Sequence, residues 1–201
     1  MVEDAILSSG PADPRRELRR GLRQRRREAP PAERMAAGEA IATALLAHPR
    51  FPASGYVAGY WASRGEVPLH LLQMRLPDGV VWCLPCVQAD GSLMFAPWRP
   101  GDPLVANEYG IPEPELALGS MLSPAAMAAV VLPLLGFSAD GHRLGMGGGY
   151  YDRSFAFRID APAPPWLVGA GYSFQQLQSL PAQPWDVRLD AIATEQGILE
   201  P

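Results

Sequence analysis

The chain has 201 residues, 48% of them hydrophobic and 19% charged, with a formal net charge of −4. This length and balance fit one globular domain with a sizeable core and exclude a disordered chain. All 17 basic residues are arginine, which excludes a Walker-type phosphate lysine, a Schiff-base lysine and a lysine nucleophile.

The opening MVEDAILSSG is acidic and lacks a basic n-region, so residues 1–12 read as a flexible terminus rather than a secretory signal. The longest apolar run, Ala125 to Phe137, is too short to span a bilayer and contains Pro133. A cytoplasmic protein that engages no membrane is therefore expected, and two cysteines agree with a reducing compartment.

Residues 13–201 read as a single α/β domain. A first helix is expected in DPRRELRRGLRQRRREA, with Asp13 as N-cap, Pro14 at the first helical position, and Leu18 and Leu22 one turn apart. Nine arginines fall between Arg15 and Arg34, whereas beyond Arg34 fifteen acidic residues face eight arginines. A basic arm thus adjoins an acidic body. A second helix begins at Pro31 and ends before Pro49, with Met35, Ile41, Leu45 and Leu46 at helical spacing. GYVAGYW reads as a strand, VPLHLLQMRL as a helix, and GVVWCLPCV and SLMFAPW as two strands around the ADG turn.

From Pro97 to Pro114, proline and glycine predict an ordered excursion with little regular structure. AAVVLPLLGF reads as a fully buried parallel strand, SADGHRLGMGGG as loop, and YYDRSFAFR as helix. PPWLVGAGYS is a further strand, FQQLQSL a short helix and DAIATEQG a last strand. The alternation predicts a three-layer α/β/α domain with a mostly parallel central sheet, Rossmann-like.

RLGMGGGYYDR, Arg143 to Arg153, places four glycines in five positions between strand and helix. Glycines let the backbone approach phosphate closely, so successive amides and a helix N-terminus can bind it without lysine. Arg143 supplies a cationic fork and Asp152 a hard oxygen ligand for Mg²⁺. A glycine-rich turn with tyrosine packing and an Asp–Arg surface pair fits the same residues.

LPLLGFSADGHRLGMGGGYYDR resembles the signature of the 5-formyltetrahydrofolate cyclo-ligases, also called methenyltetrahydrofolate synthetases. RRELR, YWASRGEVP, CLPCVQADGSLMF, EYGIPEP and WDVRLDAIAT follow the same family in order, so the resemblance spans most of residues 15–194. It implies an ATP- and Mg²⁺-dependent ring closure of 5-formyltetrahydrofolate to 5,10-methenyltetrahydrofolate with release of ADP and phosphate.

The same resemblance assigns Arg15, Arg19, Arg143, Leu144, Gly145, Met146, Gly147, Gly148, Gly149, Tyr150 and Tyr151 to ATP. Arg143, Gly147, Gly148, Gly149 and Tyr151 are implied to act in phosphoryl transfer. Trp61, Glu66, Tyr109, Gly148 and Tyr150 are implied to meet the folate, and Asp152 and Asp186 the metal. Arg15 stands where the family usually has lysine, keeping the charge with a different geometry. Asp186 read alone caps a turn after Trp185, and Glu66 alone is a helix-entry carboxylate before Pro68. A monomer that engages no nucleic acid is expected.

Two alternatives remain. WCLPC, Trp82 to Cys86, mimics a thiol oxidoreductase site, although the residues after it read as strand rather than helix, so nothing there lowers a thiol pKa. The arginine-dense helix alternatively marks a nucleotide- or nucleic-acid-binding protein without catalysis. Against that, Arg25 to Arg27 read as a solvated face or as partners of the acidic body. His48, His70 and His142 lie apart in sequence and receive no catalytic role.

Overall fold

In the computed structural model, residues 14–115 and 119–201 are described. The expected flexible terminus at 1–12 and the Asp13 cap lie outside the described residues.

Two helices open the chain, α1 (Pro14–Glu28) and α2 (Pro31–Ala47). Each starts on a proline, whose missing N–H is no loss in a first turn. There follow β1 (Ser54–Ala58), α3 (His70–Met74), β2 (Gly79–Val87), β3 (Leu93–Pro97), β4 (Leu104–Ala106), β5 (Pro112–Pro114) and β6 (Met127–Pro133). The remainder comprises β7 (Gly136–Ser138), β8 (Arg143–Leu144), α4 (Tyr150–Ser154), β9 (Trp166–Ala170), β10 (Gln176–Leu177), β11 (Ala191–Thr194) and β12 (Gly197–Leu199).

The central sheet runs β12-β11-β9-β6-β1-β2-β3. Its inner pairings, β11 with β9, β9 with β6, β6 with β1 and β1 with β2, are parallel. Antiparallel β3 and β12 close the two edges. Alternation along each strand sorts side chains between two cores. Val57, Val131, Val168 and Ala193 meet Ile41 and Leu45 of α2 and Leu72 of α3 on one face. Ala58, Val130, Leu132, Leu167 and Ile192 meet Phe137 and Phe155 on the other. Burying one such Leu or Ile stabilises the fold by about 1.5–3 kcal/mol, so the two layers hold the sheet as a rigid platform. The expected α/β/α architecture with a mostly parallel sheet is present.

Four local readings change. DAIATEQG does not hold the last strand, because the chain turns after β11 and returns as β12, antiparallel to it. The 97–114 excursion carries a small antiparallel hairpin, β4 with β5. The glycine stretch does not follow the buried strand directly, because β7 and β8 pair first and Leu135 N–H bonds back to Leu144 O. The segment read as a helix at FQQLQSL is a single 3-10 turn, Ser173–Gln175, leading into β10, which pairs with β7. Loops at the carboxyl ends of β1, β6 and β9 converge beneath α1, the position where ligands bind α/β sheets.

Candidate active site

The inner face of α1 is a stripe of Arg15, Arg19, Leu22 and Arg26 at spacings of four, three and four residues, which puts them above one another on a helix. Leu22 packs with Leu144 and Leu180, seating the helix on β8 and the 177–180 turn. The arginines on either side therefore point into the loops at the sheet edge.

At the N-terminal end of α1, Arg15 Nη2 lies 2.5 Å from Asp186 Oδ2, and the same guanidinium donates to the Pro181 carbonyl. Asp186 also accepts the Gln183 N–H at 2.8 Å, so it does cap a turn. Burial pushes its carboxyl pKa up, but the bond from Arg15, the Gln183 N–H and the charges of Arg15 and Arg143 outweigh this and hold it below the usual range. The next residue, Val187, joins the second carboxylate. Arg143 donates to Val187 O at 2.7 Å and to Asp152 Oδ1 at 2.6 Å, and Val187 N–H returns to Asp152 Oδ1 at 3.2 Å. Asp152 and Asp186 are thus brought together around one backbone segment and two arginines.

Between them lies the glycine loop. Arg19 Nε donates to Gly145 O at 3.1 Å, Arg23 to Met146 O at 3.4 Å, and Arg153 to Gly148 O at 2.6 Å. A trans peptide points its N–H opposite to its C=O. The Met146, Gly147 and Gly149 N–H groups are therefore turned away from those arginines. Gly147 and Gly149 have φ of +108° and +69°, and Gly149 caps the N-terminus of α4; both conformations favour a residue without Cβ. Arg153 also donates to Gly91 O at 2.9 Å, tying the loop to the β2–β3 turn.

At the other end of α1, Glu66 occupies the turn after β1. Its Oε2 accepts the Ser63 N–H at 3.0 Å and its Oε1 lies 3.5 Å from Arg26 Nη1. Helix α3 starts only at His70, so Glu66 is a turn carboxylate paired with a buried arginine rather than a helix-entry charge. Burial raises its pKa, opposed first by Arg26. Trp61 is exposed and meets Trp98 edge to face, centroids 5.7 Å apart. Tyr109 reaches Tyr150, ring centroids 5.9 Å apart and hydroxyls in contact. The excursion therefore supplies an aromatic partner to two of the expected folate residues, Trp98 to Trp61 and the expected Tyr109 to Tyr150. Tyr151 stacks on Phe155, and its phenol pKa is raised by burial and by the Glu66 charge.

Both readings of Arg25 to Arg27 hold, for different residues: Arg25 and Arg27 are exposed, whereas Arg26 is buried and pairs with Glu66 of the acidic body. Arg26 is 1% exposed, while Arg25 lies over Phe174, 4.5 Å from the ring centroid. The helical stripe through Arg15, Arg19 and Leu22 carries the signal that finds Arg26.

The decoy resolves on geometry. Cys83 and Cys86 are free, buried and on β2, and burial pushes both thiols up to about 12. They remain protonated at neutral pH, so WCLPC lacks the thiolate a disulfide exchange needs. His48 stacks on Trp166, centroids 4.9 Å apart, at the end of α2, far from this chemistry in sequence and contacts.

The model of the 5-formyltetrahydrofolate cyclo-ligase family matches residues 12–195. The chain belongs to that family. Cyclo-ligases are ligases, and the convergent loops are accordingly read as an enzyme site. The chain is 31% identical over 182 residues to the 5-formyltetrahydrofolate cyclo-ligase of Escherichia coli (strain K12), covering 89% of this chain and 99% of that relative. It is similar to the solved 5,10-methenyltetrahydrofolate synthetase of Aquifex aeolicus, with a TM-score of 0.78, 30% identity and 92% of each chain covered. A synthetase structure from Mycoplasma pneumoniae, at 24% identity and a TM-score of 0.69 over 91% of this chain and 99% of that one, shares the fold.

No helix among the described residues is long and apolar enough to cross a membrane. Among the same residues no group of three His, Cys, Asp or Glu side chains is arranged to hold a metal. The Asp152 and Asp186 pair instead suits a Mg²⁺ that arrives with phosphate, since that ion is ordinarily held by one or two carboxylates plus substrate oxygens and water.

Proposed function

We propose that this chain catalyses the ATP- and Mg²⁺-dependent closure of 5-formyltetrahydrofolate to 5,10-methenyltetrahydrofolate, releasing ADP and phosphate. The observation that carries the reading is the convergence of Arg143, Asp152 and Asp186 on the glycine loop, under the same helix that holds Glu66.

A formamide oxygen is a poor leaving group. Transfer of the γ-phosphoryl of ATP to the formyl oxygen gives an iminium phosphate and ADP. N10 then attacks the formyl carbon, loses its proton, and the C–O bond breaks to release phosphate and leave the methenyl bridge. No protein nucleophile enters, so catalysis rests on positioning and charge. Arg15, Arg19 and the loop from Arg143 to Tyr151 bind the nucleotide. Arg143, Gly147, Gly148, Gly149 and Tyr151 surround the group in transfer, whose oxygens take hydrogen bonds from the loop N–H groups and the arginine fork. Arg15 and Arg143 are engaged with Asp186 and Asp152 in the structure; a Mg²⁺ held by the two carboxylates would supply the positive charge they need and leave both guanidinium groups to pair with phosphate.

Asp152 and Asp186 are the residues that would hold Mg²⁺, which would supply charge to neutralise the phosphate oxygens. Glu66 accepts paired N–H donors of the folate's aminopyrimidine, and Trp61, Gly148, Tyr109 and Tyr150 flank the reduced folate. Tyr109 and Tyr150 meet across the opening, which supports a closed, water-poor site once both ligands are bound.

The test is optical. Methenyl absorbance should appear only when protein, 5-formyltetrahydrofolate, ATP and Mg²⁺ are all present. Polyanion binding with no absorbance change would favour a nucleic-acid-binding protein instead.

A further inference from the structure

Arg26 is 1% exposed and heads the largest fully buried side chains of the molecule. A buried guanidinium is stable only when its donors and charge are answered. Its Nε donates to Arg64 O at 3.3 Å, its Nη1 to Leu134 O at 3.3 Å, and its Nη2 lies 4.0 Å from Met146 Sδ. The carboxylate beside it is Glu66. One side chain therefore ties α1 to the turn after β1, to the end of β6 and to the glycine loop.

The turn is pressed directly onto the helix backbone at the same place. Gly65, with φ of +83°, sits so that an added Cβ would lie 2.6 Å from Arg26 O. Ser63 donates its N–H and its hydroxyl to Oε2, at 3.0 and 3.4 Å, and Arg26 faces Oε1, so both oxygens are held in direction and Oε1 keeps a lone pair for another donor.

We infer that Arg26 is the positioning residue of Glu66, fixing the direction and the charge of the carboxylate that receives the folate. This rests on the reading of Glu66 as a folate contact. It adds that α1 serves both ligands, with Arg15 and Arg19 toward the nucleotide and Arg26 toward the folate.

The electrostatics agree in sign. Burial raises the Glu66 pKa and Arg26 is the foremost opposing influence. The other groups facing Glu66 are Arg64 on its own turn, Tyr60 at the end of β1, Tyr151 of α4 and Tyr172 after β9. All three phenols are raised and stay neutral in the working range. Loss of the Arg26 charge therefore raises the Glu66 pKa further. Protonated Glu66 cannot accept paired donors, so the acid limb of kcat/KM for folate moves to higher pH.

The experiment compares Arg26→Met, Arg26→Lys, Glu66→Gln and the double Arg26→Met, Glu66→Gln variant in steady-state kinetics with each substrate varied. Arg26→Met should raise the folate KM by on the order of tenfold or more, leave kcat and the ATP KM within about threefold, and move the acid limb up by about one pH unit. Arg26→Lys should keep the acid limb in place with a smaller rise in folate KM. The double variant removes both charges and so should fold even where Arg26→Met does not; its kinetics should match those of Glu66→Gln alone.

A wild-type folate KM and pH profile in Arg26→Met, or double-variant losses that add, would overturn the positioning role while leaving Glu66 as the folate contact. A wild-type folate KM in Glu66→Gln would instead remove the reading on which the inference rests.

Discussion

Arg143 and Asp152 form a 2.6 Å ion pair in which the arginine is almost fully buried and the aspartate a quarter exposed. The pair links the start of the glycine loop to the first turn of α4, so the two groups assigned to phosphate and metal hold each other until a ligand intervenes. On the proposed reading, phosphate at Arg143 and Mg²⁺ at Asp152 would together answer both charges, whereas either alone would leave one uncompensated.

Asp152→Ala should lower turnover with MgATP by at least about a hundredfold, because it removes a metal oxygen and leaves Arg143 buried without its partner. Its thermal midpoint should fall while the unfolding transition stays cooperative. Turnover near that of the wild type would remove Asp152 from the metal site.

Gly147→Ala and Gly149→Ala should each cost at least about tenfold in kcat/KM for ATP, since both residues have positive φ that a Cβ disfavours by roughly 1–2 kcal/mol. Gly145→Ala should cost less, because its φ is not left-handed and no atom lies within 4 Å of an added Cβ. Equal losses at all three positions would mean that backbone path is not what the loop requires.

The Arg15–Asp186 pair predicts a pH dependence of stability. The Asp186 pKa is lowered in the folded chain, so its contribution is present above the ordinary Asp value of about 4 and is lost as pH falls through the folded value. Asp186→Asn should flatten the loss of thermal stability below about pH 4. An unchanged acid slope would show that the pair contributes nothing measurable.

Double Cys83→Ala, Cys86→Ala substitution should leave catalysis intact once the protein is folded, and a thiol reagent at neutral pH should label the native chain slowly and the unfolded chain fast. Rapid native labelling, or loss of turnover without loss of fold, would revive the thiol reading.

How far the sequence reaches is clearest at β2 and α1. β2 coincides with GVVWCLPCV because glycine and the ADG turn bound a run of apolar residues, and the same boundary reasoning located α2 between prolines. The hairpin of β7 and β8 escaped it, since strands of three and two residues carry no periodicity and exist through long-range pairing with β10. Arg26 escaped for a different reason: in a run of arginines, composition says surface, and only the inward register set by Leu22 shows which cation is buried. The glycine loop and Asp152 were legible because their spacing is local. The ion pair of Asp186 with Arg15 and the backbone bonds of Val187 to Arg143 and Asp152 were not, because residues 186 and 187 return from far along the chain.

The decisive step of the proposed reaction is phosphorylation of the formyl oxygen, which then leaves as phosphate. Turnover of 5-formyltetrahydrofolate labelled with ¹⁸O at the formyl group, followed by mass analysis of the released phosphate, tests it directly. One ¹⁸O is expected in each phosphate formed with methenyl product; phosphate without the label, with ¹⁸O recovered in water, would contradict phosphorylation of the formyl oxygen.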